Sequence, residues 1–66
     1  MNITLNGKDK KNIPNSTLEA LLIDLGYENK KIAVEVNNEI IPRSQLRNKL
    51  LVDGDKIEII NAVGGG

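Results

Sequence analysis

Few side chains in this 66-residue chain are equipped for chemistry. It has no cysteine and no histidine. A thiol nucleophile, a serine-histidine dyad, a Cys/His zinc site and a persulfide carried on a side chain are therefore excluded. Asp53 and Asp55 have the spacing that opens a calcium loop, but the later oxygen ligands and closing glutamate of such a loop do not follow. Asp53-Gly54-Asp55-Lys56 reads instead as a tight turn into a strand. The glycine run Gly64-Gly65-Gly66 lacks the Lys-Ser/Thr of a phosphate loop and opens no helix. Lys8, Lys10 and Lys11 around Asp9 read as a solvated turn whose lysines guard a sheet edge.

What is left is the carboxyl group of Gly66. Three successive glycines have nothing to pack and a high ordering cost, so 64–66 is expected to be a flexible tail on a domain at 1–63. A frayed end would carry the same pattern. A tail without Cβ atoms, however, can thread a narrow channel and lie beside a nucleotide α-phosphate. Two readings are therefore open: a frayed end, or a reactive terminal carboxylate at Gly66 carried on Gly64 and Gly65.

The elements that hold this tail follow from apolar spacing. Ile3 and Leu5 alternate with Asn2 and Thr4, and Asn6-Gly7 is a hairpin turn signal. The return strand is expected at Lys10 to Ile13, ended by Pro14. Ser16-Thr17-Leu18-Glu19 fits a capping box, with Ser16 as the cap. Leu18, Leu21, Leu22 and Leu25 then recur at helical spacing, and Gly26 supplies a left-handed stop. Ile32, Val34 and Val36 alternate into an Asn37-Asn38 turn, Glu39 to Ile41 returns, and Pro42 stops it. Leu46, Leu50 and Leu51 allow a turn or two of helix or an irregular segment, and Ile57 to Val63 is the last strand. The order strand, strand, helix, strand, strand, short helix, strand describes one α+β layer pair.

Composition narrows the partners. Lys plus Arg equals Asp plus Glu at nine each, and Tyr27 is the only aromatic residue. Neither a phosphate-binding footprint nor a base-stacking platform is offered, so nucleic acid is not the expected partner. No apolar run approaches the roughly 20 residues that cross a bilayer, and no signal-peptide core is present. The expectation is a cytoplasmic protein without a membrane partner.

Several stretches together resemble the ThiS family, the sulfur carrier proteins of thiamine biosynthesis. They are Leu5-Asn6-Gly7, the leucine helix from Thr17 to Leu25, Val36 to Ser44, Asp53 to Ile59, and Ala62-Val63-Gly64-Gly65-Gly66. Asn38 stands where glycine is frequent in the family, and Leu46 stands where an aromatic residue is common. The resemblance implies a ubiquitin-like β-grasp fold, with a four- or five-stranded mixed sheet packed on one main helix. It also implies a carrier rather than an enzyme, holding no cofactor or metal of its own. A ThiF-type adenylyltransferase using ATP and magnesium would adenylate Gly66. Sulfur from a cysteine persulfide on a partner would turn the carboxylate into a thiocarboxylate, for delivery to the thiazole synthase ThiG. The small subunit of molybdopterin synthase, a ubiquitin-like modifier joined to lysines, and a β-grasp binding module for RNA or nucleotide remain the rival readings. For the docking face, periodicity puts Ile57 and Ile59 inward. Ile60 and Val63 become candidate partner contacts, unless Ile60 marks a bulge and returns to the core. Arg43 beside Pro42 is a third candidate contact, for an acidic partner group, with a solvated turn arginine as the alternative.

Overall fold

The computed structural model describes residues 1–28 and 30–61. Five strands and one α-helix follow in the expected order, with a 3-10 helix before the last strand. The strands are β1 Ile3–Leu5, β2 Lys8–Lys10, β3 Ile32–Val36, β4 Glu39–Ile40 and β5 Lys56–Asn61; α1 spans Leu18–Asp24. They form one sheet in the order β2-β1-β5-β3-β4. Only the central pair, β1 with β5, is parallel, so the sheet is mixed. The last strand in sequence is thus the middle strand in space.

Both hairpins turn on asparagines in left-handed conformation. Asn6 and Gly7 have φ of 50° and 82°, and Asn37 and Asn38 have φ of 53° and 71°. Two successive positive φ values match the right-handed twist of the flanking strands, so these two-residue turns close tightly. Closure at Asn6-Gly7 corrects the expected return strand at Lys10 to Ile13. Pairing begins at once with Leu5 opposite Lys8 and ends with Ile3 opposite Lys10. Asn12, at φ 60°, then offsets the chain by one residue, and Ile13 resumes contact with Met1 through bonds of 2.7 and 3.0 Å.

The helix cap differs from expectation too. Thr17, not Ser16, is the N-cap, and its Oγ1 accepts from the Ala20 amide at 3.2 Å. The Ser16 carbonyl is occupied by the Leu51 amide at 2.9 Å, and Leu18 N–H reaches Lys49 O at 2.9 Å. This short bridge between Thr17 and Leu50 fixes where the helix can start. Glu19 therefore falls one position too early to close a capping box. At the other end Gly26, at φ 87°, donates to Ile23 O while Tyr27 donates to Leu22 O. That is the paired bonding of a glycine-stopped helix.

Leu18, Leu21 and Leu22 are buried against Ile3, Val34, Val36, Ile57 and Ile59 from one face of the sheet, with Leu51 closing the cluster. Leu25, expected on the same stripe, is exposed because it sits at the C-cap, where the helix has ended. Leu50 is 64% exposed, since its extended neighbours alternate and only Leu51 turns inward.

A polar clasp ties the β3–β4 turn to the start of β5. Asp55 is buried and accepts from Asn37 Nδ2 at 2.9 Å and from the Val52 amide at 2.9 Å. Asn37 Oδ1 accepts from the Lys56 amide, and Lys56 O accepts from Asn37 N. The aspartate that resembled a calcium ligand is thus occupied in holding a strand.

Two stability measurements test this layout. Thr17→Ala should cost about 1 kcal/mol in urea unfolding, the usual worth of an N-cap, while Ser16→Ala should change little. Asp55→Ala removes two part-buried hydrogen bonds to a carboxylate and should cost about 1–3 kcal/mol; an unchanged midpoint would mean the clasp does not hold β5.

Candidate functional site

β5 determines what surrounds the end of the sheet. Its inward residues Ile57 and Ile59 are buried as expected, and its outward residues are Lys56, Glu58 and Ile60. Ile60 is 51% exposed. The ladder with β3 runs without interruption through Val34 opposite Ile59, Ala33 opposite Ile60 and Ile32 opposite Asn61. No bulge returns Ile60 to the core.

The outward face is the one α1 leaves uncovered. Register places Ala33 beside Ile60, Glu35 beside Glu58, and Ile40 beside Glu35. Ile40 is 70% exposed, so two isoleucines flank a pair of glutamates lying directly opposite one another. Like charges in that arrangement destabilise a sheet. Sequence reasoning did not single out Ile40. The available signal was the Ile40-Ile41 step in an extended run, where alternate residues face opposite sides and only one can reach the core. Ile41 is the half-buried one, held by its amide bond to Val34 O at 2.9 Å.

Arg43 opens the 3-10 helix Arg43–Asn48, directly after Pro42. Its guanidinium donates to the Lys30 carbonyl at 3.3 Å, which ties the 3-10 helix to the segment leading into β3. Both residues line a groove of about 270 Å³ floored by Leu22, Ile32, Val34, Ile41 and Leu46. Leu46 is half-buried there and packs on the core. Arg43 is exposed but anchored, and it lies on the groove side, whereas Ile60 lies on the uncovered sheet face. The two are therefore not one patch: they approach the end of the sheet from opposite sides. Val63, Gly64, Gly65 and Gly66, and with them the expected end of the last strand and the tail, lie outside the described residues.

Comparison with known proteins adds the context that geometry lacks. The family model described as the ThiS family matches residues 3–66, which includes the glycine run. The sulfur carrier protein ThiS of Bacillus subtilis is 43% identical over 65 residues, covering 97% of this chain and 98% of that protein. A thiazole synthase of Paramagnetospirillum magneticum is 42% identical over all 66 residues, but the chain spans only 20% of that protein's length. A crystal structure of the thiamine biosynthesis protein ThiS from Geobacter metallireducens superposes over the whole of both chains with a TM-score of 0.84 at 30% identity. With the mixed sheet and single helix in place, this chain belongs to the ThiS family of sulfur carrier proteins and has their β-grasp fold.

Proposed function

We propose that this chain carries sulfur for thiazole formation in thiamine biosynthesis, with the carboxylate of Gly66 as its reactive group. The observation that supports this most strongly is the family match, which extends to Gly66 in a chain with no cysteine or histidine. The scaffold contributes position and recognition, and partners contribute the reagents.

In the proposed cycle a ThiF-type adenylyltransferase, holding ATP and magnesium, takes the tail into its site. The Gly66 carboxylate attacks the α-phosphate and pyrophosphate leaves. The resulting mixed anhydride is a good acyl donor because AMP departs as a stable anion. The terminal sulfur of a cysteine persulfide then displaces AMP. That step forms an acyl C–S bond; a second thiol then cleaves the S–S bond brought in by the persulfide, forming a disulfide with the donor cysteine and leaving a thiocarboxylate whose sulfur replaces one carboxyl oxygen. Thiazole synthase ThiG is the proposed recipient. Support for that partner comes from the thiazole synthases of Paramagnetospirillum magneticum and Magnetococcus marinus, each of which includes a region similar to this whole chain. Gly64 and Gly65 thread the channel, and Ile60, Val63 and Arg43 touch the partner. The cycle is placed in the cytoplasm.

Incubation with the adenylyltransferase, ATP and a persulfide donor should give an intact mass in which one oxygen of the chain is exchanged for sulfur. An unchanged mass accompanied by lysine conjugates on denaturing gels would favour a modifier instead. Removal of Gly66 should abolish adenylation and leave the thermal midpoint in place. Ile60→Ser, at a half-exposed site, should leave stability within about 0.5 kcal/mol while weakening adenylation at limiting enzyme. Equal rates for the wild-type chain and Ile60→Ser would remove Ile60 from the interface.

A further inference from the structure

We infer that Lys30, Lys31 and Arg43 form a cationic collar beside Asn61, the last described residue of β5, and that this collar docks on an acidic surface of the adenylating partner. The inference rests on the carrier reading above and adds to it two docking residues and the chemistry of the partner's contact surface.

The register of the central ladder carries the argument. Asn61 is the last described residue of β5 and lies opposite Ile32, the first residue of β3. Paired strands lie about 5 Å apart, so the residues directly preceding Ile32 stand beside the end of β5 at Asn61. Those residues are Lys31 and Lys30, both exposed. Arg43 joins them through its bond to the Lys30 carbonyl. That bond uses one of five guanidinium N–H donors, so the side chain is oriented and most of its donors remain for a carboxylate. Three cations thus gather where β5 ends, in a chain whose positive and negative charges are equal in number.

The acidic residues nearby are placed differently. Glu19 and Glu28 line the same groove as Lys30 and Arg43, but they come from α1 and the turn that follows it. Glu35 and Glu58 sit further along the uncovered face, each three residues from Ile32 and Asn61 respectively by register. Positive charge therefore belongs to the start of β3 and of the 3-10 helix.

Reach decides what the collar meets. Gly66 is five residues beyond Asn61, and five extended residues span at most about 17 Å. With the carboxyl group that far inside a partner, the collar stands at the mouth of the channel, beyond direct contact with the nucleotide. Screening shortens the range of such charges to about 8 Å at physiological salt. The collar consequently acts on encounter and orientation rather than on the chemical step. Its counterpart is a set of aspartates and glutamates around that mouth, since a guanidinium fork and two ammonium groups recognise carboxylates.

The test compares two double charge reversals in the full-length chain. Lys30→Glu with Lys31→Glu alters the collar, and Lys8→Glu with Lys10→Glu makes the same change on β2, the edge strand across the sheet. Pyrophosphate release by the adenylyltransferase is followed against carrier concentration at low and high salt, with thermal midpoints alongside. The collar variant should raise KM about tenfold, a loss typical of rim charges that steer docking, with kcat unchanged and a flatter salt dependence. The β2 variant should match the wild-type chain. If both variants shift KM alike, or neither does, the collar is overturned while the carrier reading stands. If the wild-type chain releases no pyrophosphate, the carrier reading falls and the collar falls with it.

Discussion

The structure depends on one constraint: the strand that ends the described chain is gripped on both edges. β5 lies between β1, which it meets in parallel, and β3, which it meets in antiparallel. Thr4 N–H and Asn6 N–H bond to Asp55 O and Ile57 O, each at 2.9 Å. Where β1 turns away, Asn6 Oδ1 takes the Ile59 amide at 2.8 Å and extends the ladder with a side chain. An outgoing chain anchored this way has a fixed origin relative to both the uncovered face and the groove. Both surfaces are therefore held at fixed positions relative to the end of β5. A terminal strand at the edge of the sheet would have given that origin on one side only.

Asparagine carries much of this arrangement. Among the described residues, all four non-glycine residues with positive φ are asparagines: Asn6, Asn12, Asn37 and Asn38. Asparagine tolerates the left-handed region better than other side chains with a Cβ, and it brings an amide that glycine lacks. Asn6 bonds to β5, and Asn37 bonds to Asp55 and Lys56. Turn formation and strand fixation are thus combined in single residues. In so short a chain, where little apolar surface is available for a core, such bonds orient the central strand at no cost in core volume.

Local signals in the sequence revealed most of the fold. The two asparagine turns, the leucine stripe from Leu18 to Leu22, Gly26 and the inward isoleucines of β5 each rest on a spacing or a φ preference, and each stands in the structure as expected. The errors share a different origin. Ser16 loses the cap because its carbonyl is engaged by Leu51, a residue 35 positions away. Leu25 and Leu50 keep the right spacing but fall where an element has just ended or where an extended segment alternates. The tie between Arg43 and Lys30, and the pairing of Glu35 with Glu58, also arise from contacts distant in sequence, which periodicity does not register. Ile60 was legible as an outward residue because only strand alternation was needed. Its separation from Arg43 was not, because that requires knowing which side of the sheet the helix covers.

A charge balance of nine against nine describes the sum and conceals the placement. Lys8 and Lys10 lie along the outer edge strand β2, where charge discourages pairing with another chain. Glu35 and Glu58 oppose each other on the uncovered face at a cost in stability. Lys30, Lys31 and Arg43 gather at the end of β5. Residues of one type thus do different work according to the element that presents them. Beyond a Debye length a partner meets a neutral molecule, and attraction begins only when the surfaces are close enough for local charge to be resolved. Short-ranged attraction of this kind rests on charges that are each exposed to water and individually weak, so it forms and breaks readily.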